Sequence, residues 1–111
     1  ENDGKLFMVA GSPGGSTIPT TVLQVITNVI DFGMDIGMAV DAGRFHHQWL
    51  PDCIYCENPA IDSMTVMKLE QTGHTIRERS SLGRVNAIAI TPDGRIKAGA
   101  DRRGVNSAFG Y

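Results

Sequence analysis

Two adjacent glycines behind a short apolar run are the residues of this sequence whose types and spacing most directly suggest chemistry. Leu6-Phe7-Met8-Val9-Ala10 leads into Gly11-Ser12-Pro13-Gly14-Gly15-Ser16. Glycines at 14 and 15 allow positive φ and let a ligand approach with no Cβ in the way. Consecutive N–H groups in such a turn form a concave anion nest, and the start of a following helix adds partial positive charge. The turn could hold a phosphate, a carboxylate or the oxyanion of a tetrahedral intermediate. It could equally be a tight strand-to-helix connection. The lack of a Lys after the glycines argues against a phosphate-binding P-loop, and the spacing is not that of a dinucleotide fingerprint.

Three further groups could carry chemistry. Cys53 and Cys56 form a Cys-x-x-Cys pair, with His46 and His47 upstream. Such a pair serves as a redox motif or half of a zinc site. The alternative is two strand cysteines acting as small apolar residues, because residues three apart on a strand point to opposite faces. Arg44-Phe45-His46-His47-Gln48-Trp49 sets two imidazoles beside an arginine and an indole, which suits acid–base work. No Ser or Cys nucleophile is evidently partnered with it. The expectation is therefore a loop anchored by Phe45 and Trp49, with polar side chains serving backbone groups. Arg102 and Arg103 could clasp a carboxylate, or form the weak pairs with surface acids that are the ordinary case.

These groups need elements to position them. A continuous apolar run predicts a strand over 5–10, buried on both faces. A helix over 17–32 follows, with Ile18, Val22, Val25, Ile26 and Val29 on one stripe. Pro19 falls in its first turn, and Gly33 stops it. Asp35 caps a short helix to about residue 42. An irregular loop over 43–52 leads to a strand over 53–57, which Asn58-Pro59 ends. Asp62 caps a third helix ending near Gly73, and a strand follows over 75–79. Strands over 86–90 and 95–100 form a hairpin about Thr91-Pro92-Asp93-Gly94, with Ile96, Ala98 and Ala100 on one face and Arg95 and Lys97 opposite. The order βααβαβββ describes a mixed α+β layered fold.

Composition sets outer bounds. The chain has 111 residues, of which 41% are hydrophobic and 20% charged. That is globular composition, enough for one modest core. Ten basic against twelve acidic residues give a net charge of −2 with no basic block, so nucleic acid is not an expected partner. No apolar run is long enough to cross a bilayer, and no membrane partner is expected. The start, Glu1-Asn2-Asp3-Gly4-Lys5, lacks a signal-peptide form. Two cysteines are too few for a disulfide scaffold. No cofactor or metal is called for.

Taken together, the motifs resemble one family. Gly11-Ser12-Pro13-Gly14-Gly15-Ser16, then Thr20-Thr21-Val22-Leu23-Gln24, then Arg44-Phe45-His46-His47-Gln48-Trp49-Leu50-Pro51-Asp52 look like the γ-glutamyltransferases in order and spacing. The Thr-Pro-Asp-Gly hairpin and the ending Gly110-Tyr111 also fit, so the resemblance covers essentially the whole chain. It departs at Pro19, at Gly43, where the family usually has Pro, and at Arg102, where Pro commonly follows the Asp.

The resemblance implies an N-terminal-nucleophile hydrolase, with this chain forming part of an αββα sandwich as a mixed sheet with helices packed on it. Residues 1–111 would be one domain, the C-terminal portion of the small subunit. It implies oxyanion-hole N–H groups at Gly14 and Gly15, which would also be the substrate contacts, with Gly11, Ser12 and Pro13 supporting the turn. The nucleophilic Thr and most glutamate-binding residues would precede the matched region; Glu1 cannot replace that Thr, and Thr20 and Thr21 do not match its position. Alone, the chain would be inactive. The implied partners are the rest of the small subunit, the large subunit and a γ-glutamyl compound such as glutathione, in a periplasmic, secreted or cell-surface setting. Faces stripped of those partners predict self-association, as a dimer. The competing expectation is a stand-alone module that binds anions or carboxylates, or assembles, through the glycine turn.

Overall fold

The computed structural model describes residues 3–109. Glu1 and the Gly110-Tyr111 ending lie outside the described residues. Six strands and three helices run in the order β1 (Met8–Gly11), α1 (Ile18–Ile30), α2 (Ile36–Asp41), β2 (Phe45–His46), β3 (Ile54–Cys56), α3 (Ser63–Gln71), β4 (Ile76–Glu78), β5 (Asn86–Ile90) and β6 (Ile96–Ala100). The expected mixed α+β order holds, with one added strand. β2 forms inside the stretch expected to be irregular, because Phe45 and His46 pair with Cys56 and Tyr55.

The strands make two three-stranded sheets. β1-β5-β6 is antiparallel throughout. In β2-β3-β4, β3 runs antiparallel to β2 and parallel to β4, with α3 as the crossover that a parallel pair requires. Helices α1 and α2 cover one side of the first sheet. The core is Val25 from α1, Ile36, Ala39 and Val40 from α2, and Val85, Ala87 and Ala89 beneath them.

That arrangement explains the helix boundaries. Pro19 lies in the first turn of α1, where its missing N–H has no partner to lose. Gly33, at φ 63°, takes the chain out of the helix. Asp35 caps α2 by accepting from the Gly37 N–H at 3.0 Å, and Asp62 caps α3 by accepting from the Thr65 N–H at 3.0 Å.

One expectation is overturned. β1 is not buried on both faces: Val9 is 56% exposed. Helices cover only one side of this sheet, so alternate residues of every strand face outward. On β5 the small Ala87 and Ala89 lie under the helices while Ile88 is 47% exposed. Val9, Ile88 and Ala98 are aligned in register across the three strands. On β6 the shared face of Ile96, Ala98 and Ala100 is this outer one, and Gly99 is the buried residue beneath α2. Alanine and glycine let α2 approach closely, and the larger apolar side chains are left on the uncovered side.

Candidate active site

The glycine turn leaves the covered sheet at the end of β1. Gly14 adopts φ 142° and Gly15 φ 59°, and the former is closed to residues with a Cβ. A single 3-10 turn, Gly15–Thr17, then feeds α1. The carbonyl oxygen of Gly14 accepts from the Thr17 N–H at 3.2 Å and from the Thr17 hydroxyl at 3.0 Å. Neither the Gly14 nor the Gly15 N–H donates a turn, loop or cap hydrogen bond among the described residues. A Cβ on Gly15 would meet no neighbour within 4 Å. The turn is thus open beside Gly15, and neither glycine N–H is taken up by a turn, loop or cap acceptor among the described residues.

Behind the turn the packing is tight. The Ser12 hydroxyl donates to the Pro13 carbonyl at 2.7 Å and accepts from the Arg84 N–H at 2.9 Å. Gly83, at φ 67°, lies so close that a Cβ there would stand 2.7 Å from both Ser12 Oγ and Thr21 Cγ2. Residues 83 and 84 therefore form the floor of the turn, a contact across 72 positions of sequence.

The first turns of α1 carry a second link. Thr20 Oγ1 lies 2.7 Å from His46 Nδ1, and His46 Nε2 lies 2.9 Å from Gln48 Oε1. The Gln48 amide nitrogen donates to the Leu50 carbonyl, which makes its oxygen the atom facing His46. The imidazole therefore donates from Nε2. Gln24 clasps both backbone groups of Phe45, donating to its carbonyl at 2.7 Å and accepting from its N–H at 3.0 Å.

These contacts reverse the expected anchoring of the loop. Phe45 is 47% exposed and Trp49 77% exposed, whereas Arg44 and His46 are buried. Alternation along β2 turns Arg44 and His46 inward and Phe45 outward, and Trp49 sits at φ 72° with its ring in solvent. His47 is paired with Asp52 at 3.2 Å at the surface.

Arg103 also departs from expectation. It is not in a weak surface pair but in a buried cluster with Arg44, Glu57 and Asp101. Arg44 reaches Asp101 at 2.8 Å, and Arg103 reaches Asp101 at 3.1 Å and Glu57 at 2.5 Å. Glu57 also accepts the N–H groups of Arg44 at 2.9 Å and Leu82 at 2.6 Å, and Asp101 accepts those of Val85 at 2.7 Å and Arg103 at 2.9 Å. Burial pushes both carboxyls up, but the hydrogen bonds and guanidinium charges outweigh it and leave them below the usual carboxylate range. Arg102 fits the ordinary case, exposed and 4.0 Å from Asp41.

The cluster and the turn meet. Arg44 donates to the Leu82 carbonyl at 2.8 Å, so both backbone groups of Leu82 and the N–H of Val85 are held by cluster side chains. Gly83 and Arg84, between them, are the floor of the glycine turn. Sequence reasoning did not find Glu57, Leu82 or Gly83 because their partners are remote along the chain.

The cysteine pair does not assemble a site. Cys53 is buried before β3 and Cys56 is half-buried at its end; both are free thiols. Burial, then Glu78 and Cys53, push the Cys56 thiol up, away from the thiolate that redox or metal chemistry needs. No group of three or more metal-ligating side chains occurs among the described residues.

The fold is that of the γ-glutamyltranspeptidases. A solved acivicin-inhibited γ-glutamyltranspeptidase superposes with a TM-score of 0.89 at 44% identity, covering 95% of this chain and 57% of that one. The enzyme from Pseudomonas nitroreducens, solved with L-DON, superposes with a TM-score of 0.88 at 33% identity, covering 100% of this chain and 58% of that one. The glutathione hydrolase proenzyme of Escherichia coli K12 is 42% identical over 104 residues, which are 94% of this chain and 18% of that protein. The γ-glutamyltranspeptidase family model matches residues 1–111, and the chain belongs to that family. It spans less than a fifth of the length of the E. coli relative.

Proposed function

We propose that residues 1–111 are one domain, the C-terminal portion of the small subunit of a γ-glutamyltransferase-like enzyme, and that the Gly14 and Gly15 N–H groups are its oxyanion hole. The observation that carries this reading is the open turn, with two N–H groups that have no turn, loop or cap acceptor among the described residues. The reaction is acyl transfer. An N-terminal Thr hydroxyl, supplied by the preceding part of the subunit, adds to the γ-glutamyl carbonyl and gives its proton to its own α-amine. The carbonyl π pair moves onto oxygen, where the two N–H groups stabilise it. The carbonyl re-forms as the amine leaves with a proton, and the resulting ester passes to water, an amino acid or a peptide.

The partners in this reading are the rest of the small subunit, the large subunit and a γ-glutamyl amide such as glutathione. The outer face of the first sheet, with Val9 and with Ile96 at 72% exposure, is where another layer would pack. In the acivicin-inhibited enzyme the C-terminus has critical roles in autoprocessing and catalysis, which supports a working role for the equivalent region here. Bare, this face drives self-association of the chain, observable as dimer in sedimentation.

The test has two arms. The 111-residue chain should cleave neither glutathione nor a γ-glutamyl anilide; turnover by it alone sinks the reading. In the longer polypeptide carrying this segment, Gly14→Ala, whose Cβ would collide with Thr17 Oγ1 and so displace the turn's N–H groups, should lower kcat by up to ~10²–10³. Saturable glutamate binding at Gly14 and Gly15 by the isolated chain would point instead to an anion-binding module.

A further inference from the structure

The Gly14–Gly15 peptide presents the outward N–H of Gly15, and nothing on either glycine can hold it in that orientation. Both flanking residues lack a Cβ, so rotation of this peptide meets little local resistance. The restraint must come from outside the pair. Thr17 supplies it twice: its N–H lies 3.2 Å and its hydroxyl 3.0 Å from the Gly14 carbonyl oxygen. Thr17 is itself 6% exposed, which fixes its side chain against the helix start.

The peptide is planar and trans, and among the described residues the only cis bonds precede Pro51 and Pro59. The Gly14 oxygen and the Gly15 N–H therefore lie on opposite edges of one plane. A carbonyl drawn to Thr17 turns the N–H the opposite way, where it has no turn, loop or cap acceptor among the described residues. We propose that the Thr17 hydroxyl is a positioning group: its bond to the Gly14 carbonyl aims the Gly15 N–H at the developing oxyanion. The reverse orientation would point a carbonyl dipole at the same spot and oppose the negative charge. The catalytic consequence rests on the oxyanion-hole reading; the orientation does not.

The experiment measures the residual dipolar coupling of the Gly15 N–H in the ¹⁵N-labelled chain, for wild type, Thr17→Ser and Thr17→Val. Serine keeps the hydroxyl and should keep the wild-type coupling. Valine keeps the shape and the backbone bond but loses the hydroxyl, and should change the coupling and speed exchange of that amide. In the longer polypeptide, valine should lower kcat by roughly three- to tenfold, the worth of one neutral hydrogen bond, with KM little changed and serine restoring the rate. An unchanged coupling in the valine variant, or a serine variant as altered as valine, overturns the proposal. A changed coupling with an unchanged kcat leaves the positioning intact and counts against the oxyanion reading instead. Should the valine variant not fold, Thr17→Ala carries the same comparison.

Discussion

The glycine turn and the arginine–carboxylate cluster touch adjacent residues, Gly83 and Leu82, yet they handle polar groups in opposite ways. In the cluster the carboxylates are enclosed: Glu57 and Asp101 each accept from both a guanidinium and backbone N–H groups, and Arg44 Nε is its one buried atom without a partner among the described residues. The turn is open on its outer side and constrained only from behind, by Thr17, Ser12 and Gly83. A buried ionic cluster contributes little net stability over apolar packing, but it is costly to break. Here it fixes Leu82 and Val85, and so fixes the floor on which the turn rests. The closed region holds the residues on which the open one rests.

The sharpest way to separate the two regions is to break the closed one. Asp101→Ala leaves the buried Arg44 without a carboxylate and Arg103 with Glu57 alone. It should cost about 3–5 kcal/mol in urea unfolding, a large part of the ~5–15 kcal/mol typical of a small domain. A loss below ~1 kcal/mol would mean that the cluster is not what holds residues 82–85.

Next in size is the turn itself, where the two glycines should differ. Gly14 sits at φ 142° against Thr17 and Gly83, so Gly14→Ala should destabilise the fold as well as remove activity. Gly15 sits at φ 59° in open space, so Gly15→Ala should cost only about 1–2 kcal/mol, while its methyl intrudes where a ligand would approach. Equal thermal shifts for the two variants would show that the openness at Gly15 is not real.

A pH titration sharpens the contrast further. Glu57 and Asp101 are held below the usual carboxylate range in the folded chain, so the unfolded chain binds their protons first as pH falls. Their stabilisation is present in full above the ordinary carboxylate values, about 4, and fades as pH drops through the lower folded values. Urea midpoints should be level near neutrality and fall below about pH 4.5. Glu57→Gln should flatten that fall. The glycine turn, with no titrating side chain, should contribute nothing to it.

How much of this was legible in the sequence follows the same division. The glycine turn, its helix, the Asp35 and Asp62 caps and the β5–β6 hairpin are local, and residue types within a few positions specify them. The orientation of the first sheet was not legible, because Ile88 and Ala89 alternate equally well whichever side the helices take. The cluster was not legible either: Arg103 reads as a surface residue until Glu57, 46 positions away, is brought beside it. His46 and Trp49 were assigned opposite roles for the same reason. An indole suggests an anchor, and only the folded loop, with Trp49 at φ 72°, shows that it faces out.

The smallest expected effect lies on the loop that runs between the two regions. Trp49 is held at φ 72° with its ring 77% exposed. A left-handed conformation costs a residue with a Cβ roughly 1–2 kcal/mol, and a ring so exposed returns little through burial. Trp49→Gly removes both the strain and the ring. The unfolded chain gains freedom with a glycine, about 0.5–1 kcal/mol in the opposite direction. The two nearly cancel, so the melting temperature should move by no more than a few degrees. A fall of more than about 2 kcal/mol would show that the indole anchors the loop after all. It would shift the anchoring of residues 45–50 away from His46 and Gln24. If stability is unchanged but the variant alters turnover in the longer polypeptide, the loop is holding Trp49 in a strained pose for use at the site, not for the fold.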